Sequence, residues 1–140
     1  MDVRTEDLSL PEATDTRHGA TAVEMALLLP LFMMLTLGMI DFSRALFVRH
    51  TLLEAAQAGA RVAALPSTGE SDVTTEVHRV LDAVNLSSAS IHSSNVGSGG
   101  SRGTTTSVDV SFPFPTLTGQ FVPGWTGTVT MTQAAFIRHE

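Results

Sequence analysis

Between Ala20 and Ile40 the chain runs for 21 residues with a single charge, Glu24, and from Met25 to Ile40 it carries none. A helix of that length rises about 31 Å, enough to cross a hydrocarbon core of about 30 Å. A core helix of a short soluble protein shows a polar face, and this run shows none. A secretory signal peptide also fits poorly, because its pattern is a basic leader, an apolar stretch of about 7–15 residues and a small-x-small cleavage site. Here the leader is net acidic, the run is longer, and Asp41-Phe42-Ser43-Arg44 follows. The run reads as a retained membrane anchor. Pro30 inside it would cost a helix in water about 3 kcal/mol, whereas membrane helices tolerate a proline better.

Charge divides the chain around this anchor. Residues 1–19 hold two Arg against five acids, residues 20–40 hold Glu24 alone, and residues 41–140 hold six Arg against eight acids. Half of the formal −6 therefore lies in the leader. Mean hydropathy is +0.19, and most of it comes from one segment. With no lysine and an acidic balance, a nucleic-acid footprint is not expected. With no cysteine, a disulfide-stapled scaffold, a thiolate zinc site and a cysteine nucleophile are excluded.

Glu24 is the costly residue. A carboxylate in an apolar span costs on the order of 3 kcal/mol on insertion scales, which marks it as a functional candidate. Equally, it stands only five residues into the run and can snorkel to the headgroups.

The words G-A-T-A-V-E-M-A-L-L-L-P, G-M-I-D-F-S-R-A-L and L-L-E-A-A-Q-A-G-A-R-V-A-A occur in that order from Gly19 to Ala64. The stretch resembles the TadE family, minor pseudopilins of the Tad (Flp) type IV pilus system. A glycine ending a polar leader, with a glutamate at the head of an apolar helix, is similar to the cleavage region of type IV prepilins. The resemblance implies that a prepilin peptidase cuts between Gly19 and Ala20, making Glu24 the fifth residue of the mature chain. It implies that Glu24 pairs with the N-terminal ammonium of a neighbouring subunit, each charge relieving the other's desolvation. The implied partners are the membrane, an Flp-type pilin, other minor pseudopilins, the prepilin peptidase and the pilus platform proteins. One departure is Met25, where family members often carry an aromatic. The resemblance places the leader in the cytoplasm and the C-terminal part outside. The charges give that orientation no support, since Arg17 flanks one end of the anchor while Arg44 and Arg49 flank the other.

Beyond the anchor, residues 41–65 read as an extension of the same helix, helped by an Asp41/Arg44 pair at i,i+3 and ended by Pro66. Ala55, Gly59 and Ala63 put small residues on one face at four-residue spacing, which lets another backbone approach closely. That face can pack against another subunit or dock on the chain's own domain. Residues 66–140 then read as a small α+β domain. A second helix is expected from Asp72 to Val84, with Ser71 as N-cap, a buried face of Val73, Val77, Val80, Leu81 and Val84, and His78/Asp82 as a surface pair. Residues 87–107, in which 15 of 21 are Ser, Gly or Thr, read as a flexible loop with one weak strand near Ile91. Alternation of Val108, Val110 and Phe112 predicts a half-buried strand stopped by Pro113 and Pro115. A last strand is expected over Thr126–Ile137, with Val129 and Met131 on one face and Gly119–Gly127 as the connecting loop.

No chemistry-bearing constellation emerges. The histidines at 18, 50, 78, 92 and 139 lack paired ligand spacing. The serines lie in neither Gly-x-Ser-x-Gly nor Ser-x-x-Lys, and the run Gly97–Gly103 lacks the Gly-Lys-Ser/Thr ending of a phosphate loop. Asn85-Leu86-Ser87 is a glycosylation sequon without meaning in most bacteria. The expectation is a non-enzymatic assembly component with no cofactor. The rival reading is an uncleaved single-pass protein whose extracytoplasmic domain binds an envelope partner or ligand.

Overall fold

The computed structural model describes residues 15–97, 103–121, 123–124 and 126–139. The leader read at residues 1–19 falls mostly outside them. Side chains are described from Gly19 onward, except that of Gln120. The elements are helix α1 (Asp15–Ala63), helix α2 (Glu70–Asp82), strands β1 (Ser90–Ser94) and β2 (Thr105–Pro115), a 3-10 turn at Thr118–Phe121, and strand β3 (Thr128–Arg138). The arrangement is α+β, with a long N-terminal apolar helix, a second helix and three antiparallel strands. The chain divides into two compact units, residues 1–36 and 37–140.

In the first unit, the described residues are all helix. Helix α1 passes through Pro30 without a break in assignment. Every side chain from Ala20 to Thr36 is exposed, so none of the described residues covers Leu27, Leu29, Leu31 and Phe32. Thr36 donates its hydroxyl to Phe32 O at 2.8 Å, which keeps a polar side chain satisfied on its own helix.

The second unit is built on the remainder of α1. Val48, Leu52, Ala55, Ala56, Ala60 and Ala63 line one buried face and form a single core with Val73, Val77 and Leu81 of α2 and Val108, Val110, Phe112 and Phe114 of β2. A Cβ on Gly59 would stand 2.5 Å from Val77 Cγ2 and 3.3 Å from Val108 Cγ1. The small-residue face thus docks on the chain's own domain, because only a side chain as short as hydrogen or methyl lets α2 and β2 come this close. Helix α1 ends where Thr68 donates its hydroxyl to the carbonyls of Val62 and Leu65, both at 2.8 Å.

Helix α2 lies two residues earlier than expected at each end. Its N-cap is Gly69, not Ser71, and the cap is closed by Asp72, whose Oδ2 accepts the Gly69 N–H at 2.8 Å. The carboxylate therefore serves the first turn better than the serine hydroxyl does. The helix stops at Asp82 because Asn85 takes a left-handed conformation, φ 59°, and Leu86 N–H returns to Leu81 O at 2.9 Å, a Schellman-type closure. The buried residues are Val73, Val77 and Leu81. His78 and Asp82 form no ion pair; Arg79 and Glu76 do, at 2.7 Å.

The sheet order is β1-β2-β3. Ser90–Ser94 pairs with Ser107–Ser111, and Thr105–Pro115 pairs with Thr128–Arg138. The Ser/Thr/Gly-rich stretch is thus shorter as a loop than its composition predicts, since β1 and the first residues of β2 are taken from it. Pro113 and Pro115 do not stop β2; they pair with Thr130 and Thr128. Beyond Ser111 strand β1 has ended, so that side of β2 is an edge where a missing N–H removes no ladder bond. Strand β3 starts two residues later than expected and continues to Arg138. Its Met131 is half-buried opposite Phe112, while Val129 stays exposed. Between β1 and β2, Gly97 adopts φ 57°, and a Cβ there would collide with the Thr68 carbonyl oxygen. Glycine is required at that position on both counts.

Candidate functional site

The residues singled out by sequence lie on three stretches of α1. At the first, Gly19 and Ala20 are helical and exposed, and a Cβ on Gly19 would meet nothing within 4 Å. Glu24 is exposed four residues later. Among the described residues the ion pairs are Asp41–Arg44 and Glu76–Arg79, and neither involves Glu24. A carboxylate in an uncharged, uncovered helix surface is suited to meet a cation supplied from outside the chain. At the second stretch, Pro30 sits among exposed apolar neighbours. At the third, Ala55, Gly59 and Ala63 are buried in the core of the second unit.

The structure adds a residue that sequence reading placed only in a helix-stabilising pair. Asp41 follows Ile40, the last residue of the apolar run, and is 7% exposed. Its carboxylate accepts the Leu117 N–H at 2.9 Å, the Thr118 N–H at 2.8 Å and the Thr118 hydroxyl at 2.9 Å. Arg44 Nη1 adds a looser contact at 3.4 Å. Its guanidinium also lies over the Phe114 ring, 5.2 Å from the centroid, a cation–π geometry. Burial pushes the Asp41 carboxyl up, but the hydrogen bonds from Leu117 and Thr118, with the Arg44 charge, outweigh it. The group titrates below its ordinary range. Asp41 thus ties the β2–β3 connection to the residue where the apolar run ends, 76 positions away in sequence. No local signal announces it, because two of its three donors are backbone N–H groups that any residue could supply and all three lie far along the chain.

His139 is the one histidine buried among the described residues. Its Nε2 donates to Asn95 O at 2.9 Å and lies against the Thr106 hydroxyl. Thr106 in turn donates to Asn95 O at 3.0 Å. This knot fastens the end of β3 to the turn after β1. No group of three or more His, Asp or Glu capable of holding a metal occurs among the described residues.

One helix, within Gly19–Ala63, is long and apolar enough to cross a membrane, and none of its most apolar window is buried. Residues 19–61 match the family model described as TadE-like protein. The match begins at the glycine that ends the leader, runs through Glu24, Pro30, Asp41 and Arg44, and stops at Arg61. No curated protein and no solved structure matches the chain.

Proposed function

We propose that this chain is a minor pilin or pseudopilin of a Tad (Flp) type IV pilus, a structural component that works by packing rather than by catalysis. The observation that carries the reading is the TadE-like match over residues 19–61, coinciding with a helix whose apolar surface is uncovered from Ala20 to Thr36. In this reading the span lies in the cytoplasmic membrane, and residues 41–140 are extracytoplasmic. A prepilin peptidase removes residues 1–19 between Gly19 and Ala20. Glu24 then meets the ammonium of a neighbouring subunit, and the exposed face of α1 packs against an Flp-type pilin or other minor pseudopilins. The small-residue face is already occupied within the chain, so in this reading subunit packing falls to the exposed apolar side chains of the span, such as Leu28, Phe32, Leu35 and Met39.

Co-expression with a prepilin peptidase tests the processing step. The wild-type chain is expected to lose the mass of 19 residues and to begin at Ala20 by N-terminal sequencing, and a Gly19 substitution is expected to block this. A membrane-extracted chain that begins at Met1 or Asp2 in the presence of active peptidase would instead identify an uncleaved anchor.

A further inference from the structure

We propose that the β2–β3 connection is a second membrane contact, setting Leu117 and Phe121 into the headgroup–acyl boundary of the leaflet from which α1 emerges, with Asp41 as its positioning residue. The inference rests on residues 20–40 being a membrane span. Given that span, the height of residues 117 and 118 follows from hydrogen bonds. Asp41 is the next residue after Ile40, and its carboxylate holds two successive backbone N–H groups, Leu117 at 2.9 Å and Thr118 at 2.8 Å. One residue of helix rises about 1.5 Å, so the connection is fixed at the level where the helix leaves the hydrocarbon.

The side chains carried there are apolar and uncovered. Leu117 is 39% and Phe121 57% exposed, and Phe42, one residue past Asp41, is 66% exposed. Met39 and Ile40, the last apolar residues before Asp41, are exposed as well. A lipid surface is the occupant it fits, because lipid surrounds the span wherever the span is inserted. The polar groups agree. Asp41 has exchanged water for three donors, so its charge can sit at an interface without remaining bare. Arg44, one turn further along, keeps 44% of its side chain exposed and can reach headgroup phosphates. An interfacial segment of this kind buries its apolar side chains about 5–10 Å into the boundary.

The chain has no cysteine, so single-cysteine variants label one site each. The full-length protein carrying Phe121→Cys, Leu35→Cys or Thr75→Cys is labelled with an environment-sensitive fluorophore. It is then reconstituted in vesicles of phosphatidylcholine and phosphatidylglycerol that contain nitroxide lipids. Strong quenching is expected at position 35, and quenching at 121 at least about twofold above that at 75, strongest with a shallow nitroxide. Adding Asp41→Asn is expected to lower quenching at 121 while leaving position 75 and the circular dichroism unchanged. Quenching at 35 with none at 121 overturns the contact and leaves the anchor standing. Blue-shifted but unquenched emission at 121 also overturns it, because a protein neighbour then covers the site. Absence of quenching at 35 removes the span, and the inference with it.

Discussion

A single helix, α1, solves two different problems along its length. From Ala20 to Thr36 it is apolar on every side, with large side chains that none of the described residues covers. From Val48 to Ala63 it is apolar on one side only, that side is mostly small beyond Leu52, and it disappears under α2 and β2. The first stretch uses leucine, methionine and phenylalanine, which suits the proposed membrane span because lipid accepts any shape. The second uses alanine and glycine because a backbone and a β-branched side chain must fit within contact distance. Apolar character is common to both, and side-chain size tells them apart. Asp41 stands between them and is held by a part of the chain far away in sequence.

The comparison is broken most forcefully by exchanging what each stretch excludes. Leu31→Arg puts a charge at the middle of the span, at a cost of about 3 kcal/mol on insertion scales. The protein should shift from the membrane to the soluble or degraded fraction on fractionation, while Leu52→Ala should remain in the membrane. Leu52→Ala should in turn lower the unfolding free energy of the second unit by about 2–5 kcal/mol, because Leu52 is fully buried. Chemical denaturation in detergent measures it. An Leu31→Ala change should leave that stability unaltered.

Gly59→Ala sharpens the size argument, because helix propensity and packing oppose each other there. Propensity favours alanine by about 1 kcal/mol. The added methyl would meet the rigid, buried Val77 and Val108, so overpacking of about 1–3 kcal/mol should win and the variant should unfold more easily. The same change at Gly19, where the added methyl meets nothing, should not destabilise the second unit.

Asp41→Asn should lower the thermal midpoint by roughly 5–10 °C, since the acceptor of three hydrogen bonds loses its charge. The Asp41 carboxyl titrates below its ordinary range in the folded chain, so its contribution is complete above about pH 4 and is lost as pH falls further. An acid titration of stability should therefore be steeper for the wild type than for Asp41→Asn. Glu76 is also held low, chiefly by hydrogen bonding to Arg79, yet this pair is solvent-facing. Glu76→Gln should change the midpoint by no more than experimental error.

Sequence alone set the apolar run apart from the rest of the chain, because a 21-residue run with one charge has few folded uses and its pattern is local. It also gave α2 and β2 from periodicity, within two or three residues, and the α+β class followed. The motif words from Gly19 to Ala64 carried the family likeness for the same reason. Tertiary structure decided what depended on distant neighbours. It assigned the Ala55–Gly59–Ala63 face to the domain, since a small face fits any close backbone and does not say whose. It let two prolines stand in a strand because β1 stops at their level. It buried His139 against Asn95 and Thr106. It also gave Asp41 its partners, two backbone N–H groups and a hydroxyl. Backbone donors have no side-chain signature, so that contact could be read only once the chain was folded.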